Sequence, residues 1–160
     1  MATEPDQPEA AQSEADPVEP TVFSLIIRGD IPGRFVWRDD DVVAFLTIAP
    51  IRPGHVLVVP VEQIDHWTDL PTDLWLRINE VALAIGQSLR SAYPVARVAS
   101  IIAGLEVPHC HVHLIPIESE SQLSFANADP STPGAELDAV AARIREHLRA
   151  DGRGDHVPDA

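Results

Sequence analysis

The chain of 160 residues is poor in the groups on which several classes of protein depend. It has a single cysteine, which excludes an internal disulfide and is typical of a reducing cytoplasm. It has no lysine. It has 11 arginines and 25 acidic residues, so the formal net charge is −14. Nucleic acids and anionic membranes are bound by basic surfaces. We therefore expect neither a nucleic-acid partner nor a membrane contact.

Length and composition indicate one folded domain between two tails. A chain of this size with 45% hydrophobic residues can bury a core of its own. Residues 1–20 are acidic and rich in proline, and they lack the basic and apolar segments of a secretory signal. We predict a disordered acidic tail over 1–20, a domain over 21–150 and a flexible tail over 151–160. The expected location is the cytoplasm.

Hydrophobic periodicity predicts an α+β domain. Runs rich in β-branched residues predict five strands, over 34–38, 42–48, 55–61, 97–102 and 107–117. Apolar stripes at helical spacing predict a short N-terminal helix over 21–28, a long helix over 72–91 that Thr72 can cap, and a C-terminal helix over 134–150. Consecutive strands with short connections favour an antiparallel sheet of about five strands.

The most informative feature is a row of alternating histidines, His109, His111 and His113. In a regular strand these three side chains share one face, and Cys110, Val112 and Leu114 share the other. Burying three imidazoles is costly unless each finds a partner. The row therefore points to chemistry or ligand binding rather than to packing.

Three interpretations of the histidine row remain open from the residues alone. The row could hold a catalytic zinc ion, although a strand spreads the three imidazoles over ~13 Å. It could be structural, with every ring satisfied by hydrogen bonds. It could serve nucleophilic catalysis on phosphorus, in which case the middle histidine, flanked on both sides, is the natural nucleophile.

The histidines and their surroundings resemble the histidine triad (HIT) family. The row is followed by the apolar pair Leu114-Ile115, as in the family signature of histidines alternating with apolar residues. Upstream, Gly54-His55 opens a run of apolar residues that ends at Pro60, at the distance that the family shows. The resemblance covers residues from about 21 to 117. It implies a HIT-like fold.

The resemblance also implies an activity. Members of the family are nucleotide hydrolases and nucleotidyl transferases that act at an α-phosphate. On this basis His111 attacks the phosphorus and becomes nucleotidylated, and water then releases the nucleoside monophosphate. His109 and His113 support the phosphate and the nucleophile. His55 either completes the set or is a structural histidine hydrogen-bonded to the backbone. The expected substrate is a purine nucleoside phosphoramidate or a related nucleotide, with AMP or GMP as the bound product and no cofactor.

Further site residues follow from the same resemblance. The apolar positions of the nucleoside pocket correspond to Val22, Phe23, Ile26, Phe45 and Ile48. Thr47 stands where the family often has a carboxylate that binds the ribose. Before the first histidine the family often has Gly-Gln-Ser/Thr-Val, and this chain has Gly104, Leu105, Glu106 and Val107. Leu105 thus replaces an amide donor, and Glu106 brings a negative charge towards a phosphate.

Because of these departures, two alternatives to the hydrolase remain open. One is a nucleotide-binding module with weak or lost catalysis, and the other is a metal-dependent hydrolase. Some relatives also carry a structural zinc held by two cysteines near the start of the domain and by histidines. No cysteine pair exists here, so we predict no such zinc, and the leading hypothesis includes no metal site. We assign Cys110 to the core.

The remaining features receive structural assignments. His66, His147 and His156 are expected on the surface. Residues 121–129, which include Phe125 and Asn127, could lie over the site or simply lead to the last helix, and we expect the second. The family commonly forms twofold dimers, so we expect a homodimer, in which Trp75 of the long helix could take part.

Overall fold

A computed structural model describes residues 18–160, so the predicted tail over 1–20 lies almost wholly outside the described residues. The chain alternates between helices and an antiparallel sheet. In order, the elements are α1 (Val22–Arg28), β1 (Phe35–Arg38), β2 (Val42–Leu46), β3 (Val56–Pro60), α2 (Thr72–Ala92), β4 (Arg97–Ile101), β5 (Val112–Ile117) and α3 (Gly134–Ala150).

The five strands form one sheet in the order β1-β2-β3-β5-β4, and every neighbouring pair is antiparallel. This confirms the predicted α+β class and the HIT-like arrangement of an antiparallel sheet with a short, a long and a C-terminal helix. The β1–β2 hairpin turns at Asp39, whose carboxylate accepts hydrogen bonds from the backbone N–H groups of Asp41 and Val42. An aspartate that bonds its own backbone in this way favours a tight turn.

Both faces of the sheet are covered, which explains why β2, β3 and β5 are buried at every position. The α2–α3 face is the one on which Ala44 of β2 and Val58 of β3 pack against the apolar stripes of those two helices. The stripe of α2 comprises Ile78, Val81, Ala84, Ile85 and Leu89. The opposite α1 face carries Val43, Phe45, Leu57 and Val59, which pack against Phe23 of α1.

Two details of the predicted elements are wrong. Residues 107–111 are not part of β5, which begins at Val112. Their backbone bonds elsewhere: the N–H of His109 donates to the carbonyl of Val107, and that of Cys110 donates to the carbonyl of Ile64. Thr72 does not cap α2 but is its first residue, and Pro71 holds the cap position without a side-chain bond.

The ends of α1 follow the sequence closely. Its first turn is capped by Thr21, whose hydroxyl accepts a hydrogen bond from the N–H of Ser24. Its last turn ends at Gly29, which has a φ of 86° and bonds back to the carbonyls of Leu25 and Ile26. Glycine adopts this left-handed backbone without a steric penalty.

The last ten residues pack on the domain, which differs from the prediction of a flexible tail. A short 3-10 turn forms over Gly154–His156, and Val157 enters the core of the α2–α3 face. The imidazole of His156 stacks on the indole of Trp37 at 4.5 Å between ring centroids, so His156 is not a free surface residue. Two apolar contacts in a segment rich in aspartate and glycine are too few to show as periodicity.

Among the described residues, no helix combines the length and the apolar character needed to cross a membrane.

Candidate active site

Four histidines meet on the α1 face of the sheet. His113 lies in β5 opposite Leu57 of β3, His55 lies just before β3, and His109 and His111 lie in the turn that enters β5. Their exposed fractions are 3% for His55, 0% for His109, 6% for His111 and 8% for His113. The structure therefore brings together all four residues that the resemblance implicated.

Hydrogen bonds determine which nitrogen of each neutral ring carries the proton. The N–H of Ile51 donates to Nδ1 of His55, so the proton of His55 is on Nε2 and is donated to Nδ1 of His113, 2.9 Å away. The proton of neutral His113 is consequently on its own Nε2. His111 donates from Nδ1 to the carbonyl of His109 at 2.7 Å, which leaves an unprotonated Nε2.

Burial keeps these rings neutral. Burial, with a smaller contribution from neighbouring imidazoles, lowers the pKa of His55 to about 3 and that of His113 to about 4. The pKa of His109 is lowered by burial in the same way. Burial also lowers the pKa of His111, against which the carbonyl of His109 and the carboxylate of Glu106 act in the opposite direction. Near neutral pH the nucleophilic form of the imidazole is therefore the resting form.

His109 is bound at both ring nitrogens. Its Nε2 lies 2.8 Å from the carbonyl oxygen of Pro60, and its Nδ1 lies 3.0 Å from the hydroxyl oxygen of Thr21. The hydroxyl of Ser24, 3.2 Å from that of Thr21, donates to the side-chain oxygen of Gln63 at 2.5 Å. The contact between Thr21 and His109 was not foreseen, since 88 residues separate the two.

This polar cluster does not fit a structural zinc ion. Zinc in proteins is bound by thiolates, imidazoles and carboxylates, and His109 supplies the cluster's one side chain of these kinds. Across residues 18–160 no group of three or more His, Cys, Asp or Glu side chains is arranged to hold a metal ion. Cys110 is buried, and burial raises the pKa of its thiol to about 11.

Aromatic and aliphatic side chains continue the site on the α1 side. The rings of Phe23 and His111 meet edge to face at 4.9 Å between centroids, and Phe23 meets Phe45 at 5.5 Å. Of the other residues predicted to line the nucleoside pocket, Ile26 packs against this pair, whereas Val22 and Ile48 are 43% and 73% exposed. The residues predicted to line the nucleoside pocket thus comprise a buried apolar group beside His111 and two exposed aliphatic side chains.

The polar residues of the predicted pocket lie at its edge. Thr47 is half-buried, and its hydroxyl oxygen accepts a hydrogen bond from the N–H of Ala49 at 3.2 Å. Leu105 is 94% exposed, and the adjacent Glu106 is exposed but acts on the charge of His111. Gly104 has a φ of 71°, and Val107 packs with the core of the α1 face.

Phe125 contacts the histidine cluster, although the sequence favours a simple connection to the last helix for residues 121–129. Its ring meets that of His113 edge to face at 5.0 Å, whereas the ring of Phe23 meets that of His111. It belongs to a 3-10 turn over Phe125–Asn127 that Ser124 caps, and the N–H of Asp129 fastens the segment to the carbonyl of Pro50. Within the segment 121–129 it is therefore Phe125 that borders the histidines, and the sequence signal for it is an aromatic residue in a polar loop.

Comparison with known proteins agrees with this geometry. The family description "HIT domain" matches residues 28–120. The chain therefore belongs to the HIT family, which includes hydrolases and nucleotide-binding proteins.

Individual relatives give the range of similarity. A purine nucleoside phosphoramidase of Escherichia coli is 34% identical over 103 residues, which are 61% of this chain and 87% of that protein. A HIT-like protein of Bartonella henselae involved in cell-cycle regulation shares the fold with a TM-score of 0.69 at 27% identity, over 79% of this chain and 95% of that one. A zinc-bound histidine triad protein of Mycobacterium smegmatis has a TM-score of 0.71 at 25% identity, over 82% and 94% of the two chains.

Proposed function

We propose that the protein hydrolyses a purine nucleoside phosphoramidate, or a related nucleotide, at the α-phosphate through a covalent nucleotidyl-histidine on His111. One observation carries this proposal. Within the described histidine cluster, His109 and His55 use both ring nitrogens in hydrogen bonds, whereas His111 and His113 each leave Nε2 free. The site thus presents a lone pair on one ring beside an N–H on the next, with ring centroids 4.9 Å apart.

Nucleotidyl transfer requires a nucleophile that attacks phosphorus and a hydrogen-bond donor to the phosphate oxygens, and these two nitrogens can supply them. Nε2 of His111 forms the bond to phosphorus as the bond from phosphorus to the leaving amine breaks, and the amine departs with a proton from solvent. Nε2–H of His113 donates to a phosphate oxygen. The positive charge that the modified His111 acquires is stabilised by the carbonyl of His109 at Nδ1. Attack by water on the phosphorus then releases the nucleoside monophosphate and restores neutral His111.

The purine preference rests on the relative and on the pocket wall. The similar Escherichia coli protein is a purine nucleoside phosphoramidase. In this chain Phe23 and Phe45, which are 7% and 2% exposed, form an edge-to-face apolar wall next to His111. A purine has more area to bury on such a surface than a pyrimidine has. AMP and GMP are the proposed products.

Rapid quenching with adenosine 5′-phosphoramidate tests the mechanism. We expect an adenylylated protein that is stable in base and labile in acid, with the label on the peptide that contains His111. The same turnover should occur in the presence of a chelator, since the proposed chemistry uses imidazoles alone. Turnover without any adduct, or turnover that the chelator abolishes, would exclude the mechanism.

The environment of Glu106 favours a second candidate, a nucleotide-binding module with weak catalysis. Its carboxylate is close enough to affect the pKa of His111, and a phosphate in the site would meet the same negative charge. Calorimetry should then show AMP binding without turnover of the phosphoramidate. Under the hydrolase proposal turnover is present, and Glu106→Gln increases kcat/KM by reducing repulsion of the substrate.

We also propose a homodimer in the cytoplasm. Strand β4 lies at the edge of the sheet, and the neighbouring helix α2 exposes Leu76 and Leu83 at 58% and 64%. An unpaired strand edge beside exposed leucines favours self-association. Trp75, by contrast, packs into the core of its own chain. Light scattering should give twice the monomer mass for the native chain and the monomer mass for Leu83→Glu.

A further inference from the structure

We infer that Thr21 is a positioning residue for the nucleophile, acting through His109. The kinetic part of this inference rests on the proposed function, but its structural part concerns protons that can be observed without any substrate. Thr21 and His109 are 7% and 0% exposed, so the hydrogen bond between them is shielded from water.

The donor in the hydrogen bond between Thr21 and His109 can be identified from the protons that the neighbouring groups already donate. The side-chain amide of Gln63 donates to the carbonyl of Glu19, so the oxygen of Gln63 is free to accept. The hydroxyl of Ser24 donates its one proton to that oxygen. The ring of His109 donates from Nε2 to the carbonyl of Pro60, which leaves Nδ1 as an acceptor in the neutral ring. The hydroxyl of Thr21 is the donor that Nδ1 meets, at 3.0 Å.

This bond fixes both the rotation and the tautomer of the His109 ring. The carbonyl of the same residue accepts the Nδ1 proton of His111 at 2.7 Å and so aims the free Nε2 of the nucleophile. Loss of the Thr21 hydroxyl would leave the buried Nδ1 of His109 unpaired. A ring with an unpaired buried nitrogen gains by rotating or by changing its tautomer, and either change disturbs the backbone that orients His111.

Helix α1 is linked to the nucleophile in two ways, through its N-cap residue and through a ring contact. Thr21 is also the N-cap of α1, because its hydroxyl oxygen accepts from the N–H of Ser24. Two residues later Phe23 contacts the ring of His111 at 4.9 Å between centroids. The N-cap residue of α1 therefore acts on the nucleophile through His109, while Phe23 of the same helix contacts the nucleophile directly.

Two substitutions at Thr21 separate positioning from packing. Thr21→Val keeps the shape and removes the hydroxyl, and Thr21→Ser keeps the hydroxyl and removes the methyl group. With adenosine 5′-phosphoramidate we expect Thr21→Val to lower kcat by ten- to a hundredfold, on the order of the loss for a small misplacement of a reacting group. KM should change by less than about threefold, since the pocket wall is untouched. Thr21→Ser should restore kcat to within about threefold of the native value.

A matched control accounts for the loss of the helix cap. Gly29→Ala strains the other end of α1, where φ is 86°, and it has no contact with the histidines. It should destabilise α1 without lowering kcat. Equal losses of kcat in Gly29→Ala and Thr21→Val, or no rescue by serine, would overturn the inference.

Imidazole ¹⁵N spectra of the native protein test the structural part directly. We expect His109 to carry its proton on Nε2, with Nδ1 at the shift of a hydrogen-bonded acceptor, and we expect a change at this nitrogen in Thr21→Val but not in Gly29→Ala. A proton on Nδ1 of native His109 would overturn the inference whether or not the protein turns over the phosphoramidate. Failure to turn over that substrate with the expected spectra would count against the proposed function alone.

Discussion

The two faces of one sheet show how the same strands can serve stability and chemistry. On the α2–α3 face, alternate residues of β2, β3 and β5 pack against helical stripes made of aliphatic and alanine side chains. On the α1 face, the intervening residues pack against Phe23 and border four buried histidines. Leu57 and His113 are partners across β3 and β5. On the α1 face, an apolar core residue therefore lies directly beside a histidine of the candidate active site.

The α1 face avoids the cost of buried polar groups by pairing them rather than by exposing them. Each ring of the histidine cluster makes a hydrogen bond, and all four stay uncharged because burial lowers their pKa values. Hydrogen bonds to neutral rings satisfy donors and acceptors without a buried charge. The comparison predicts that substitutions on the two faces change different observables.

His111→Ala should have the largest effect on activity and a small one on stability. The variant lacks the proposed nucleophile, so kcat/KM for adenosine 5′-phosphoramidate should fall by about a thousandfold or more. The two-state urea transition should remain close to the native one. His66→Ala, which alters an exposed histidine, is the matched control and should keep full activity. Ordinary turnover by His111→Ala would remove the mechanism.

Ile85→Ala should have the opposite profile. Ile85 lies on the buried stripe of α2 and is 0% exposed, and truncation of a fully buried isoleucine costs about 2–5 kcal/mol of unfolding free energy. The specific activity of the folded fraction should be retained, because the α2–α3 face contributes nothing to the histidine cluster. Glu146→Ala on the exposed side of α3 is the control, with a change of about 0.5 kcal/mol or less. A large change in kcat for folded Ile85→Ala would show that the two faces are coupled.

The sequence predicts the α2–α3 face better than the α1 face. Helical stripes and β-branched runs repeat at fixed spacing, so the helices, the strands and their class are readable from the pattern. The histidine row and the run from Gly54 to Pro60 also identify the family, and with it the four histidines of the site.

The sequence does not predict which side chains from distant segments come into contact. Thr21 reaches His109 across 88 residues, and Phe125 reaches His113 from a loop with no periodicity. The sequence predicts too early a start for β5 for a related reason. Residues 107–111 alternate like a strand, yet Cys110 bonds to Ile64 in a loop, a partner that only the tertiary structure supplies. Val157 shows the same limit at the C-terminus, where one buried residue docks the segment.

The neutral histidines also predict a dependence of stability on pH. In the unfolded chain a histidine titrates near 6.5, whereas the folded pKa is about 3 for His55 and about 4 for His113. As pH falls below 6.5 the unfolded chain takes up protons that the folded chain does not, so the unfolding free energy decreases. Each linked proton contributes a slope of about 1.4 kcal/mol per pH unit until the folded pKa is reached.

Urea unfolding at pH 7.5 and pH 5.0 measures this linkage. Stability should be lower at pH 5.0, and His66→Gln should show the same difference as the native chain because His66 is exposed. Asp39, whose pKa is lowered from 3.8, changes its charge only below this range. Equal or greater stability at pH 5.0 would mean that the buried histidines are charged in the folded state, contrary to the hydrogen-bond pattern.

The smallest effect should come from Phe125, at the edge of the α1 face. Burial is the main cause of the low pKa of His113, and the ring of Phe125 covers one edge of that imidazole while itself being 48% exposed. Phe125→Ala admits water to His113, so its pKa should rise by a fraction of a pH unit, as NMR titration of the imidazole would show. Trp67→Ala removes an aromatic ring of similar exposure, 47%, that contacts Trp75 instead, and it should leave the titration unchanged. An unchanged or lower pKa in Phe125→Ala would mean that β5 and the neighbouring histidines, rather than the loop, keep water from His113.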